Sequence, residues 1–143
     1  MTHLPTLQER LNNKKMSCVE KYQREFFVNF LRNTSFPPDS MGLSVSCGDG
    51  IWDYLVLKNS NIQNIVATDI VDCPVRKEDQ NLIRKFGSWE FVQVQPEEKY
   101  PFFDSSFDFI FHEDVIEHVK KPFLFLQEQF RVLKSCKNPF WEM

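Results

Sequence analysis

Two hydrophobic periods alternate along the chain, and they predict different elements. Short, mostly apolar runs bounded by turn residues read as strands: 42–46 (GLSVS), 64–70 (NIVATDI), 88–94 (SWEFVQV) and 106–112 (SFDFIFH). Between them, apolar residues recur every three or four positions. From Cys18 to Arg32 the stripe is Val19, Tyr22, Phe26 and Phe30, widened by Phe27 and Leu31. The stretch NTSFPPDS (33–40) ends that helix, because two adjacent prolines cannot continue it. A short helix is expected over 51–58. Another is expected within 73–87, with Pro74 near its first turn and Gly87 as its stop. EDVIEHV (113–119) opens a further helix, and 122–133 carries Phe123, Leu126, Phe130 and Leu133 on one face. Strands alternating with helices predict an α/β fold, a parallel sheet covered on both faces. Residues 1–16 are polar and read as a frayed helix or tail, so the division expected is a tail over 1–17 and a domain over 18–143.

Composition narrows the class. A length of 143 residues suits one domain, and 42% hydrophobic content with fifteen phenylalanines is enough for a core. The net charge of −3 gives no basic footprint for nucleic acid. Cys18, Cys47, Cys73 and Cys136 form no C-x-x-C pair, which suits reduced thiols in the cytoplasm. The polar N-terminus has no apolar core like that of a signal peptide, and nowhere do eighteen apolar residues run together to span a membrane.

The candidate chemistry begins where the first strand runs into Gly48-Asp49-Gly50. In a parallel α/β sheet, ligands bind beyond the carboxyl ends of the strands, at this kind of turn. Asp69 ends the second strand nineteen residues after Gly50, a spacing that suits a carboxylate accepting hydrogen bonds from ribose hydroxyls. Two adenosine-containing ligands use this layout, a dinucleotide or S-adenosylmethionine. The dinucleotide fingerprint wants a third small residue three positions after the second glycine, and Asp53 stands there instead. Its carboxylate would crowd the helix start and repel a pyrophosphate. The plainer alternative is a tight strand-to-helix turn with a capping aspartate; the two features in order and at this spacing favour a nucleoside site.

The second half of the chain is more specific. Pro101-Phe102, Asp104, Phe107-Asp108, Glu117-His118 and Arg131-Val132-Leu133 follow one another in a pattern that resembles the class I S-adenosylmethionine-dependent methyltransferases, the type 11 group in particular. The resemblance covers about residues 40–134. It implies a Rossmann-like, doubly wound parallel sheet and methyl transfer to a small-molecule acceptor by O- or C-methylation. It also implies that Ser46, Cys47, Gly48, Asp49 and Gly50 surround the methionine part of the cofactor. Asp69 would hold the ribose, Ile70 would lie against the adenine, and Gln95 would take the adenine amino group where the family usually has an aspartate. His112 and Glu113 would line the reaction end of the pocket. Two positions depart from the pattern: Ser44 replaces the usual acid of strand one, and Ser46 replaces the first glycine of the loop.

Asp114, Glu117 and His118 stand at i, i+3 and i+4, so an α-helix would bring all three to one face. The pattern looks like the metal-binding helix of the ubiquinone-type O-methyltransferases and the small-RNA 2′-O-methyltransferases, and such a set ligates a divalent cation. The plainer reading is a dipole-complementing Asp114 and a hydrogen-bonding Glu117-His118 pair. His118 is also a candidate general base. Lys120, Lys121, Arg76, Lys77, Arg84 and Lys85 read as solvated helix surface. The resemblance further implies three more strands after Arg-Val-Leu, which the nine residues of SCKNPFWEM cannot form. A sheet of about four strands in the order 3-2-1-4 is therefore expected, with strand four as an edge open to self-association or a partner, or covered by Phe140 and Trp141. That early stop carries the alternative function: a non-catalytic half-domain that binds cofactor or partner.

Overall fold

The structure is a computed structural model, and it describes residues 5–12 and 15–135. Ten short elements follow one another: α1 (Leu7–Leu11), α2 (Cys18–Arg32), β1 (Met41–Val45), α3 (Ile51–Asn59), β2 (Asn64–Asp69), α4 (Lys77–Ile83), β3 (Ser88–Gln93), β4 (Phe109–Phe111), a single 3-10 turn (Ile116–His118) and α5 (Pro122–Val132). The four strands form one parallel sheet in the order β3-β2-β1-β4. Met41 pairs with Asn64 and Asn64 with Ser88, while Gly42 pairs with Phe109. This is the Rossmann-like arrangement expected. Phe140 and Trp141 lie outside the described residues, as does Cys136.

Side chains alternate across the sheet and build two cores. On one face Ile65, Ala67, Trp89 and Phe111 pack with Leu31 of α2, Ile83 of α4 and the apolar run of α3. On the other, Leu43, Val45, Val94 and Phe107 pack with Tyr100 and with Val132 of α5. Burying a side chain such as Trp89 or Leu43 contributes about 1.5–3 kcal/mol each. Phe107 stops short of β4 and bridges to Leu133 instead, which is why that strand is only three residues long.

Four expectations change. The stripe Val19, Tyr22, Phe26 and Phe30 is exposed, because α2 packs through the neighbouring stripe of Leu31, Phe27 and Val28. On α5, Phe123, Leu126 and Phe130 likewise face outward, and Phe125, Gln129 and Val132 face the sheet. Helix α4 begins at Lys77, since Val75 is buried as an irregular residue ahead of it. The polar first residues include a docked element: Thr6 and Glu9 form a capping box, Leu7 is 1% exposed in the core, and its amide donates to Asp79 at 3.2 Å.

Candidate cofactor site

The loop after β1 is held in an unusual backbone path. Ser46, Gly48 and Gly50 have φ of 56°, 54° and 87°, all left-handed. Glycine reaches that region freely, whereas Ser46 sits there at a cost of about 1–2 kcal/mol. At Gly50 the positive φ favours glycine, and a Cβ would stand 2.8 Å from Ile83 Cδ1, so that buried side chain would have to shift. The loop amides are tied down: Cys47 N donates to Thr68 O at 2.9 Å, Gly50 N to Cys47 O at 3.0 Å and Gly48 N to Asp69 Oδ2 at 3.2 Å. Asp49 Oδ1 accepts from Ile51 N, and its other oxygen pairs with Arg10 of α1.

Beyond the carboxyl ends of β1, β2 and β3 lies an open cavity of roughly 500 Å³. Of the cofactor residues expected from sequence, Ser46, Ile70 and Gln95 line it. Cys47, Gly48, Asp49, Gly50, Asp69 and His112 do not; Asp69 stands between the lining residues Thr68 and Ile70 and bonds the loop and Ile70 N. The structure adds lining residues that sequence reasoning passed over, among them Glu97, Tyr100 and Phe125. Glu97 and Asp114, like Ser46, line the cavity with positive φ (62° and 52°). Backbone held in this region gathers at functional sites. The volume lies within the usual range for small-ligand pockets. Apolar walls from Ile70 and Val94 suit an adenosyl ligand, and the charged lining residues are Glu97, Asp114 and Lys120, with Lys121 standing 3.9 Å from Glu97.

The acid–base candidates separate. His118 lines the cavity on the 3-10 turn, its side chain 78% exposed and 3.9 Å from Glu117. His112 and Glu113 sit past β4 at the wall of a second, smaller cavity. Burial lowers the pKa of His112, against a weaker opposing pull from Glu117, so the neutral imidazole is favoured. Burial and then Asp114 raise Glu113, while Arg10 and Arg24 work against the rise. The three metal candidates do not share an α-helical face: Asp114 is left-handed and Val115–Val119 makes only one 3-10 turn. Among the described residues no group of His, Cys, Asp or Glu is arranged to hold a metal ion. Burial pushes the Cys47 thiol well above its ordinary range, which keeps it protonated.

Asp53 turns out to be an internal acid. It is fully buried on α3, where Oδ1 accepts from Ser44 Oγ at 2.6 Å and Oδ2 from Trp89 Nε1 at 2.7 Å. Burial lifts its pKa to about 7, against the two hydrogen bonds. The strand-one serine and the helix acid therefore form one unit. A lone acid in the run IWDYLVL was its only sequence signal.

Comparison with known proteins decides the family. The family model described as "Methyltransferase domain" matches residues 43–136, about two thirds of the chain. The chain belongs to that family. The class I S-adenosylmethionine-dependent methyltransferase fold recurs in solved structures. A putative methyltransferase from Bacillus halodurans shares 23% identity over 77% of this chain and 46% of its own, with a TM-score of 0.61. A SAM-dependent methyltransferase from Aquifex aeolicus shares 22% identity over 88% of this chain and 65% of its own, at 0.58. The phosphoethanolamine N-methyltransferase 1 of Haemonchus contortus, solved with phosphoethanolamine and S-adenosylhomocysteine, shares 14% over 92% of this chain and 27% of its own, at 0.67. At such identities the likeness is one of fold, and this methyltransferase domain spans between about a quarter and two thirds of these chains. Among curated proteins none matches in sequence.

Proposed function

We propose that the methyltransferase domain binds S-adenosylmethionine in the 500 Å³ cavity and serves methyl transfer to an oxygen or carbon of a small-molecule acceptor. The observation that carries this reading is the cavity itself, open at the carboxyl ends of β1–β3 beside a glycine turn anchored by Asp69. When bound, the cofactor supplies an electrophilic methyl group on a sulfonium. Ile70 would cover the adenine and Gln95 would accept from its amino group, while Asp69, set behind the lining with its oxygens accepting from Gly48 N and Ile70 N, would hold the ribose. Ser46, Cys47, Gly48, Asp49 and Gly50 would shape the methionine end. A positioned acceptor and a site sheltered from water are the protein's main contributions to such a reaction. His112, neutral through burial, is suited to accept a proton from an acceptor hydroxyl, with Glu113 and His118 as the other acid–base candidates.

Calorimetry with S-adenosylmethionine and S-adenosylhomocysteine, followed by tritiated-methyl transfer to a small-molecule extract, tests this. Thermal stabilisation by NAD but not by S-adenosylmethionine overturns it. A second reading, a domain that binds cofactor and pairs along β4 without transferring methyl, is favoured by the apolar edge where Phe30 stacks on Phe109 at 6.3 Å. Binding without transfer supports that one. The acidic balance of −3 argues for a partner other than nucleic acid, and no helix among the described residues is long and apolar enough to cross a membrane; a cytoplasmic location is part of the proposal.

A further inference from the structure

Past β4 lies a smaller cavity of about 240 Å³, lined mainly by aromatic side chains, with Gln23, His112 and Glu113 as its polar members. Phe27, Trp52 and Phe111 make its inner wall; Phe27 meets Trp52 edge-on at 5.2 Å and Phe111 at 6.4 Å. Tyr22 and Phe26 form its outer wall and remain 68% and 66% exposed. Its polar boundary includes His112 and Glu113, just past β4. The His112 ring stands 5.5 Å from Phe125, edge to face, and Phe125 lines the cofactor cavity.

We propose that this aromatic groove is a binding subsite for a small monocyclic aromatic compound bearing a hydroxyl group. The identification of that compound as the methyl acceptor rests on the function proposed above, whereas its binding needs no cofactor. Size sets the first requirement: an apolar cavity of about 150 Å³ holds benzene, so this open groove of about 240 Å³ has room for one substituted ring. Shape chemistry sets the second. Aromatic walls gain from edge-to-face and offset contacts only with a flat π-system, which an alkyl chain or saturated ring does not supply. Polarity sets the third. His112, 5.5 Å from Phe125, and Glu113 stand past β4, and Tyr22 and Gln23 add further polar atoms to the lining, so a ring hydroxyl finds a hydrogen-bond partner while the ring stays on the walls of Phe27, Trp52 and Phe111.

The test uses the full chain and three probes of similar size: phenol, cyclohexanol and toluene. Each is titrated against ¹⁵N-labelled protein by NMR, with S-adenosylhomocysteine titrated separately by calorimetry. Phenol is expected to bind at least threefold more tightly than either analogue and to shift the Trp52 indole and the His112 amide. Phe26→Ala, whose side chain is outside the core, should weaken phenol at least threefold; Tyr22→Ala provides a second such variant. Equal affinity for cyclohexanol, shifts clustered elsewhere, or no loss in both variants overturns the proposal. Binding of S-adenosylhomocysteine without binding of phenol sinks the subsite and leaves the cofactor reading standing. Phenol binding without S-adenosylhomocysteine does the reverse.

Discussion

Replacing Asp53 with asparagine should remove a pH dependence of folding that the wild type carries. The acid is fully buried, and its pKa rises from 3.8 to about 7 in the folded chain. The folded state therefore holds a proton that the unfolded state releases between those values. Stability is highest below the unfolded pKa and falls by about 1.4 kcal/mol per pH unit until the folded value is reached, then levels off. Between pH 5 and 8 the loss assigned to this one group is about 2–3 kcal/mol. Asp53→Asn keeps the shape, can donate to Ser44 Oγ and can accept from Trp89 Nε1, so it should cost only about 1 kcal/mol at pH 5. Above pH 7 it should equal or exceed the wild type. Urea denaturation of both proteins at pH 5, 6, 7 and 8 reads this directly. His112 and Glu113 also titrate with shifted pKa values, but both are present in each protein and cancel in the difference. Parallel stability profiles for the two proteins would refute the reasoning, as would a variant that stays several kcal/mol weaker at every pH.

Other outcomes follow from the loop and its anchors. Ser46→Gly should stabilise the chain by about 0.5–1 kcal/mol, since relief of the left-handed serine outweighs the added freedom of the unfolded glycine; thermal or urea unfolding checks it. Gly50→Ala should cost about 2–4 kcal/mol, from the positive φ and from the contact with Ile83, and should show as a lowered urea midpoint. Arg10→Ala should change stability by less than about 1 kcal/mol, because the pair with Asp49 is one-third exposed. Its effect should appear instead as weaker S-adenosylhomocysteine binding by calorimetry, since the loop loses an anchor.

The strands were readable because buried parallel strands are short apolar runs between turns, and that signal needs no tertiary knowledge. Their order was carried by the motif resemblance, not by periodicity. What periodicity does not encode is which side of a helix finds a partner. Val19, Tyr22, Phe26 and Phe30 make as clean an apolar stripe as Phe27 and Leu31, yet the second packs into the core while the first stays largely exposed, touching the sheet through Phe30 on Phe109. The Asp114, Glu117 and His118 set presupposed 3.6 residues per turn, and the left-handed backbone at Asp114 removes that premise. Among the cofactor candidates, Ser46, Ile70 and Gln95, within two residues of the ends of β1, β2 and β3, reach the cavity. Glu97, Tyr100 and Phe125 were missed because they arrive from irregular chain or from the far helix, where no motif marks them. The Thr6-Leu-Gln-Glu9 capping box was a local signal for α1 that a tail reading overlooks.

Helix α1 has a practical bearing. Through Leu7 it is plugged into the core, and through Arg10 it grips the residue between the two loop glycines. Anything that pulls on the front of the chain, such as a bulky purification tag, is thereby transmitted to the turn where cofactor is expected. Preparations tagged at opposite ends should then differ in ligand affinity before they differ in yield.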